Sequence, residues 1–202
     1  MYAVVGTVVT ALFIPSIVGW IRSKRAARKL NEYHEKIKAL SKKDDKLDED
    51  KITQLNEFRV EILDAYSKGK ISEKHYESLR NETLIHNEKI FRNRISTLNR
   101  DNSSNKKPRE EQLNNIRNDL EYAYSEGKIS EIHYESLKDE ISIQYDKIFR
   151  KKIDDASKSE TKKQQLNKIR NDLEYAYSEG KISEKHYDLL NKAISNLDGK
   201  QD

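Results

Sequence analysis

The chain has 202 residues, of which 37% are charged and 35% are apolar, with 6 Gly, 2 Pro and no Cys. This composition favours amphipathic helices over one thick core, and the lack of cysteine excludes disulfides, thiolate metal sites and cysteine nucleophiles. The net charge of +4 is uneven: residues 22–43 hold nine Lys/Arg and two Glu, whereas residues 44–202 hold 30 basic and 33 acidic residues. A nucleic-acid binder carries a basic stripe across its folded part, so the sequence predicts no nucleic-acid partner.

The first predicted element is a membrane anchor in residues 1–21, whose apolar stretch YAVVGTVVTALFIPSIVGWI covers residues 2–21 without a charge. A helix of this length spans about 30 Å, the thickness of the hydrocarbon core of a bilayer. Basic residues follow directly, so the positive-inside rule predicts a single-pass protein of the cell membrane, with its N-terminus outside and residues 22–202 in the cytoplasm. These flanking residues are Arg22, Lys24, Arg25, Arg28 and Lys29.

A cleaved signal peptide is the competing interpretation of this segment. It requires a basic n-region and a small-x-small cleavage pattern, and neither precedes the basic cluster. Beyond the anchor, Leu30, Tyr33, Ile37 and Leu40 have helical spacing. This juxtamembrane helix contains EKIKALS, from Glu35, which echoes a motif found twice further along the chain.

Three copies of one pattern follow: LNEFRVEILDAYSKGKISEKHYESL from Leu55, LNNIRNDLEYAYSEGKISEIHYESL from Leu113 and LNKIRNDLEYAYSEGKISEKHYDLL from Leu166. The first half of each copy places apolar residues at 3-4-3 spacing, which is typical of one face of a helix. These faces are Leu55, Phe58, Ile62 and Ala65; Leu113, Ile116, Leu120 and Ala123; and Leu166, Ile169, Leu173 and Ala176.

A glycine follows each of these helices, as expected at the left-handed C′ position that ends a helix. An Ile-Ser pair comes next; the serine is predicted to be the N-cap of a second helix, and the isoleucine is predicted to form a hydrophobic staple with a later tyrosine. So short a connection forces the two helices to lie antiparallel. The turn and cap residues are Gly69, Ser72, Gly127, Ser130, Gly180 and Ser183, and the staple residues are Ile71 with Tyr76, Ile129 with Tyr134, and Ile182 with Tyr187.

The second helices of the first two copies continue into matching tails, EKIFRNRIS from Glu88 and DKIFRKKID from Asp146, which the third copy lacks. We therefore expect an elongated all-α protein, in which the juxtamembrane helix stands in for the tail of a missing earlier repeat. The predicted segments are the transmembrane helix at 1–21, a juxtamembrane helix and polar linker at 22–54, hairpin repeats at 55–100, 113–155 and 166–197, linkers at 101–112 and 156–165, and a tail at 198–202.

The hairpin resembles the SHOCT (short C-terminal domain) module, a small two-helix unit often found beside membrane segments. The resemblance covers Leu55–Leu79, Leu113–Leu137 and Leu166–Leu190 and rests on spaced Leu/Ile, then Gly-x-Ile-Ser, then an aromatic four residues after the serine. The Ala-Tyr-Ser-x-Gly-Lys-Ile-Ser form is also similar to proteins of ammonia-oxidising archaea. The resemblance implies oligomerisation or protein contact, without catalysis. One departure is a histidine where the family usually has glutamate before the aromatic residue.

These histidines, His75, His133 and His186, are the only candidates for a metal or proton site, and no second ligand recurs at helical spacing. The sequence contains no nucleophile constellation, phosphate loop or apolar carboxylate pair, so no catalytic or cofactor-binding residue is predicted. The leading hypothesis is a non-enzymatic scaffold that contacts the bilayer through residues 2–21 and a protein partner, or a second copy, through its hairpins. The alternative is a membrane-bound sensor that binds a ligand or metal through the three histidines.

Overall fold

The computed structural model of the chain describes residues 24, 27–40, 48–98 and 108–199. The predicted anchor and two residues of its basic flank, Arg22 and Arg25, lie outside the described residues. Within the described ranges, none of the helices combines the length and the apolar character needed to cross a bilayer.

The prediction of an all-α protein is confirmed, because every regular element in the described part of the chain is a helix. The helices are α1 (27–40), α2 (Asp48–Ser67), α3 (Glu73–Thr97), α4 (Arg109–Ser125), α5 (Glu131–Ser157), α6 (Lys162–Ser178) and α7 (Glu184–Asp198). Helices α2, α4 and α6 begin before Leu55, Leu113 and Leu166, the first residues of the three repeat copies.

Three glycine turns separate the paired helices α2/α3, α4/α5 and α6/α7. Gly69, Gly127 and Gly180 have φ values of 64°, 63° and 65°, in the left-handed region that favours glycine. In the first pair, the Gly69 amide donates to the Tyr66 carbonyl and the next amide donates to the Ala65 carbonyl, both at 2.9 Å. The same two bonds recur at the other turns. This is the Schellman arrangement, which satisfies carbonyl groups left open at a helix end.

Replacing Gly180 with alanine is expected to lower the free energy of unfolding by about 1 kcal/mol. The added Cβ would meet no atom within 4 Å, so the cost is that of a left-handed backbone, partly offset by a less flexible unfolded chain. Gly199→Ala is the matched control, because Gly199 has φ −80° and its Cβ would lie in ordinary contact with the Ser195 carbonyl. Urea unfolding followed by circular dichroism measures both; equal stabilities of the two variants would contradict the prediction.

The contacts divide the chain into a first unit that ends at Asn87 and a second that begins at Glu88. In the first unit, α1 packs against α2 and the first half of α3 around a core that includes Tyr33, Ile37, Phe58, Ile62 and Leu79. The Tyr33 ring meets Phe58 edge-on, with 5.4 Å between ring centroids. Helix α1, the predicted juxtamembrane helix, is therefore part of a three-helix core.

The direction of α1 follows from contacts at its two ends. Leu40, near its C-terminus, lines a groove with Gln54 near the start of α2, whereas Leu30, near its N-terminus, packs on the core cluster that contains Ala65 and Ile71. Helix α1 is thus antiparallel to α2, and its N-terminal end lies beside the Gly69 turn.

The second unit is arranged around α5, which packs against α4, α6 and α7. Helices α4 and α5 are antiparallel: Tyr124 stacks on Tyr134 beside the turn, and Glu110 binds Lys152 at 2.9 Å at the far end. Arg117 of α4 also donates to the Glu179 carbonyl at the end of α6. The second and third sequence copies therefore pack together. The largest buried side chains of α5 are Leu137, Ile141, Tyr145 and Phe149.

The end of α3 has the same environment in the second unit as α1 has in the first. Lys36 pairs with Glu61 at 3.2 Å in the first unit, and Arg94 pairs with Asp119 at 2.6 Å in the second. Arg94 lies 58 residues after Lys36, and Asp119 lies 58 residues after Glu61. The first two turn glycines are also 58 residues apart. Ile37 therefore corresponds to the buried Ile95, five residues from the Ile90 that the repeated EKI motif suggests. The extra residues between the tail and the next copy account for this shift.

Candidate functional site

The tip of each helix pair, meaning the glycine turn and the helix ends that it joins, has side-chain contacts that recur in all three pairs. The predicted staple isoleucines Ile71, Ile129 and Ile182 are buried in all three pairs. The predicted staple tyrosine stacks on a tyrosine from the end of the preceding helix, which sequence reasoning did not pair with it. Tyr76 stacks on Tyr66, Tyr134 on Tyr124 and Tyr187 on Tyr177, with ring centroids 4.8, 4.3 and 4.4 Å apart.

The staple tyrosines Tyr76 and Tyr187 make these stacks in addition to the contact with the preceding isoleucine that the sequence predicts. Their backbone position is as expected, because the amides of Tyr76 and Tyr187 donate to the carbonyls of Ser72 and Ser183 at 2.9 Å. Their rings, however, are only half-buried, as is that of Tyr134. Tyr76 packs against the edge of the first core rather than within it. The physical reason is that a stack covers one face of a ring, so the remaining surface stays partly in solvent.

A second tyrosine stands outside this stack in the second and third pairs. Tyr122 is 61% exposed and Tyr175 is 60% exposed. The ammonium groups of Lys128 and Lys181 lie over these rings at 4.6 and 4.7 Å from their centroids. Such a cation–π contact orients the ring while one face and edge remain available to solvent. Exposed aromatic rings held in this way are suited to protein contact.

The predicted N-cap serines behave alike in two pairs and differently in the third. The hydroxyl oxygens of Ser72 and Ser130 accept hydrogen bonds from the backbone amides of His75 and His133, each at 3.3 Å. In the third pair, the Ser183 hydroxyl instead lies 3.1 Å from Nδ1 of the His186 ring. Buried Ser142 takes part in this third cap, because its Oγ accepts from the Ser183 amide at 2.9 Å and lies 2.9 Å from Nδ1 of His186.

The repeat histidines have three different environments. Nε2 of His133 lies 3.1 Å from Oε2 of Glu88, and Oε1 of the same carboxylate accepts a hydrogen bond from Arg92 at 2.7 Å. Arg92 in turn pairs with Glu140. His186 instead places Nδ1 2.9 Å from the Ser142 hydroxyl. Nδ1 of His75 is buried without a hydrogen-bond partner within the described ranges. The three histidines therefore have no shared ligand geometry.

The sequence makes these histidines candidates for a metal or proton site. Among the residues that the structure describes, no group of three or more His, Cys, Asp or Glu side chains is placed to hold a metal ion. Nε2 of His133 and the Glu88 carboxylate are held by contacts with each other and with Arg92, whereas Nδ1 of His133, like that of His75, is buried without a hydrogen-bond partner within the described ranges. The arrangement that is observed links the tail of α3 to the start of α5.

A buried polar contact inside the second unit was not anticipated from the sequence. The hydroxyl of Tyr145, a fully buried residue of α5, donates to Oδ1 of Asn114 in α4. Burial raises the pKa of the Tyr145 phenol above its ordinary value, and the charge of Arg117 offsets this only in part. The spacing of apolar residues did not identify this contact. It shows that Tyr145 follows Ile141 on one face of α5, but it does not show whether that face is buried.

The chain matches no family model, no curated protein and no solved structure. The SHOCT resemblance of Leu55–Leu79, Leu113–Leu137 and Leu166–Leu190 therefore stays a prediction that rests on the sequence motif.

Proposed function

We propose that this chain is a membrane-anchored helical scaffold without enzymatic activity. In this proposal residues 2–21 cross the membrane once, residues 22–202 lie in the cytoplasm, and SHOCT-like hairpins contact a protein partner or a second copy of the chain. The observation that carries the proposal is that the helix pairs use their apolar faces internally, and yet the second and third pairs keep tyrosines exposed at their tips and the second pair also exposes Ile132.

The internal use of the apolar faces restricts where a partner can bind. Leu113, Ile116, Leu120 and Ala123 are all buried within the second unit, and the corresponding residues of the other copies are buried too. A partner helix consequently has no access to these stripes while the chain is folded. Contact must use side chains that the fold leaves in solvent.

The tip of the second helix pair offers such side chains. Ile132, in the first helical turn of α5, is 81% exposed. Tyr122 lies in the last helical turn of α4, before the Gly127 turn that joins the two helices. The first and third copies have Lys74 and Lys185 in place of Ile132. The second tip therefore exposes both a tyrosine and an isoleucine, the latter at a position that is otherwise lysine, and exposed apolar side chains of this size are suited to a protein interface.

Photo-crosslinking of the full chain in intact cells tests the proposal. A photoreactive amino acid in place of Tyr122 is expected to give adducts with a second copy or with one defined partner, and the same residue in place of Glu160, on the turn between α5 and α6, is not. Ile132→Lys is expected to reduce the adduct yield at least about tenfold, because losing a central interface contact typically costs more than about 1.4 kcal/mol.

Ile132→Lys is a matched variant, since the other two copies fold with lysine at this place, and an unchanged melting temperature would show that the fold is intact. If the photoreactive residue gave equally few adducts at position 122 and at position 160, the proposed contact at the tip of the second helix pair would be contradicted. Recovery of the full chain in the supernatant after carbonate extraction of membranes would contradict the anchor independently.

The alternative of a metal-binding sensor has no geometric support, since the environments of His75, His133 and His186 differ and no three metal-binding side chains meet in the described part of the chain. We accordingly assign these histidines to the packing of the second helices.

A further inference from the structure

We propose that the tip of the first helix pair and the N-terminal end of α1 together form a basic surface that binds anionic lipid headgroups of the membrane. This inference rests on the proposed membrane anchor. The basic surface consists of Lys24, Arg28, Lys29, Lys68 and Lys70.

The fold brings the two parts of the basic surface to one end of the first unit. Because α1 is antiparallel to α2, its N-terminal end lies beside the Gly69 turn, and Leu30 packs on the core cluster that contains Ala65 and Ile71. Lys24, Arg28 and Lys29 are exposed at this end of α1, and Lys68 and Lys70 are exposed on either side of Gly69. Residues that are about 40 positions apart in the sequence thus share one surface.

The carboxylate of Asp64 lies within this surface, and its pKa is affected by the surrounding cations. Asp64 binds Lys68 at 2.7 Å, and this hydrogen bond, together with the charges of Lys68, Lys70 and Lys29, lowers the pKa of the Asp64 carboxyl. Asp64 neutralises Lys68, and Arg28, Lys29 and Lys70 keep the surface positive. A positively charged surface is attracted to an anionic bilayer when the two are within a Debye length of each other, about 8 Å at physiological salt.

The three tips differ in charge at the position before the glycine. The first copy has Lys68-Gly69-Lys70, whereas the second has Glu126-Gly127-Lys128 and the third has Glu179-Gly180-Lys181. The lysines after the glycine in the second and third tips lie over tyrosine rings, and the first copy has Asp64 in place of that tyrosine. The basic tip therefore belongs to the copy that follows the predicted anchor.

The chain itself keeps this end close to the bilayer. Only residues 22–26 separate the end of the predicted anchor from residue 27 of α1. Five residues reach at most about 18 Å when fully extended. The basic surface is consequently the end of the first unit nearest to the headgroups, which favours lipid over a soluble acidic partner.

Spin labels on single cysteines test the inference cleanly, because the natural chain has no cysteine. The full chain carries the label at Ser67→Cys, beside the basic tip, or at the matched control Ser125→Cys, beside Glu126; both serines are exposed last residues of their helices. Each protein is placed in nanodiscs of phosphatidylcholine alone or of phosphatidylcholine with phosphatidylserine. Collisional accessibility to a lipid-soluble and a water-soluble relaxer reports whether the label is at the bilayer.

We expect the label at position 67 to move to the headgroup level only in nanodiscs that contain phosphatidylserine, and the label at position 125 to stay in water in both. Lys68→Glu, the residue that the other two copies carry, is expected to lower the ratio of membrane-bound to free tip at least about fivefold, as expected for each basic residue lost from an anionic surface. High salt is expected to have the same effect, since it shortens the Debye length to about 3 Å.

The same accessibility at position 67 in both nanodiscs, with the chain still incorporated, would overturn the lipid-binding surface and leave the anchor intact. A chain that elutes apart from phosphatidylcholine nanodiscs but with phosphatidylserine nanodiscs would support the basic surface and overturn the anchor. A label that responds to soluble polyglutamate in neutral nanodiscs and not to phosphatidylserine would overturn the proposal in favour of an acidic protein partner.

Discussion

Replacing Phe149 with alanine is expected to lower the free energy of unfolding of the second unit by about 3–5 kcal/mol, the usual cost of emptying a fully buried phenylalanine site. Phe149 has no exposed surface and lies on α5, the helix that packs against α4, α6 and α7. Its ring also lies 5.0 Å from the ammonium group of Lys152, which pairs with Glu110 of α4. The lost ring thus removes both core contacts and a support for an ion pair between helices.

Urea unfolding of the full chain in a mild detergent, followed by helical circular dichroism, measures this loss. Ile143→Ala is the matched control on the same helix, because Ile143 is 41% exposed. Surface substitutions of this kind usually change stability by less than about 0.5 kcal/mol. If both variants unfolded at the same urea concentration, α5 would not be the centre of the second unit.

Replacing Tyr145 with phenylalanine is expected to make the protein less stable at pH 8 and less sensitive to alkali. At pH 8 the variant lacks the hydroxyl that donates to Asn114, and the loss of a buried hydrogen bond costs about 1 kcal/mol. Burial raises the pKa of the Tyr145 phenol in the folded chain. Above about pH 10, the ordinary tyrosine pKa, the unfolded wild type releases a proton that the folded wild type retains.

The sign of the pH dependence follows from this difference in bound protons. The contribution of Tyr145 is fully present below about pH 10, and each further pH unit lowers the wild-type stability by about 1.4 kcal/mol until the folded protein also releases the proton. The Tyr145→Phe variant lacks this loss, whereas the effects of the other tyrosines and the lysines cancel between the two proteins. The unfolding free energies of the wild type and the variant, plotted from pH 8 to alkaline pH, should therefore cross near about pH 11. If the two plots were parallel, Tyr145 would not be buried as described.

Much of the local structure was predictable because short-range rules govern it. The left-handed φ of Gly69, Gly127 and Gly180 follows from the need to end a helix, and the buried face of each first helix follows from its 3-4-3 spacing. These interactions involve residues within about five positions of one another. The sequence contains all the information that they require.

The environments of the repeat histidines were less predictable. Identical histidine positions gave a carboxylate partner for His133 and hydroxyl partners for His186. Glu88 and Ser142 each belong to the second helix of the preceding pair, and they are different residue types. A shared motif therefore did not produce a shared site.

The stacking partners of the staple tyrosines were not predicted from the sequence. Tyr76 and Tyr187 are half-buried and stack on Tyr66 and Tyr177, whereas the staple pattern paired them with the isoleucine before the N-cap. Two side chains on either side of a turn meet only when both helices are packed. The stacking partners also belong to different helical stripes, so the spacing within one helix could not reveal the contact.

The sequence by itself determined that the described chain is helical, where helices end at glycine, and which faces are apolar. Only the tertiary structure decided which helix covers each face: α1 completes a three-helix core, Ile37 takes the place that Ile95 has in the second unit, and α5 packs against three other helices. The physical reason is that helix formation and capping depend on neighbours in the chain, whereas the packing register depends on the lengths of connections and on side chains from several helices at once.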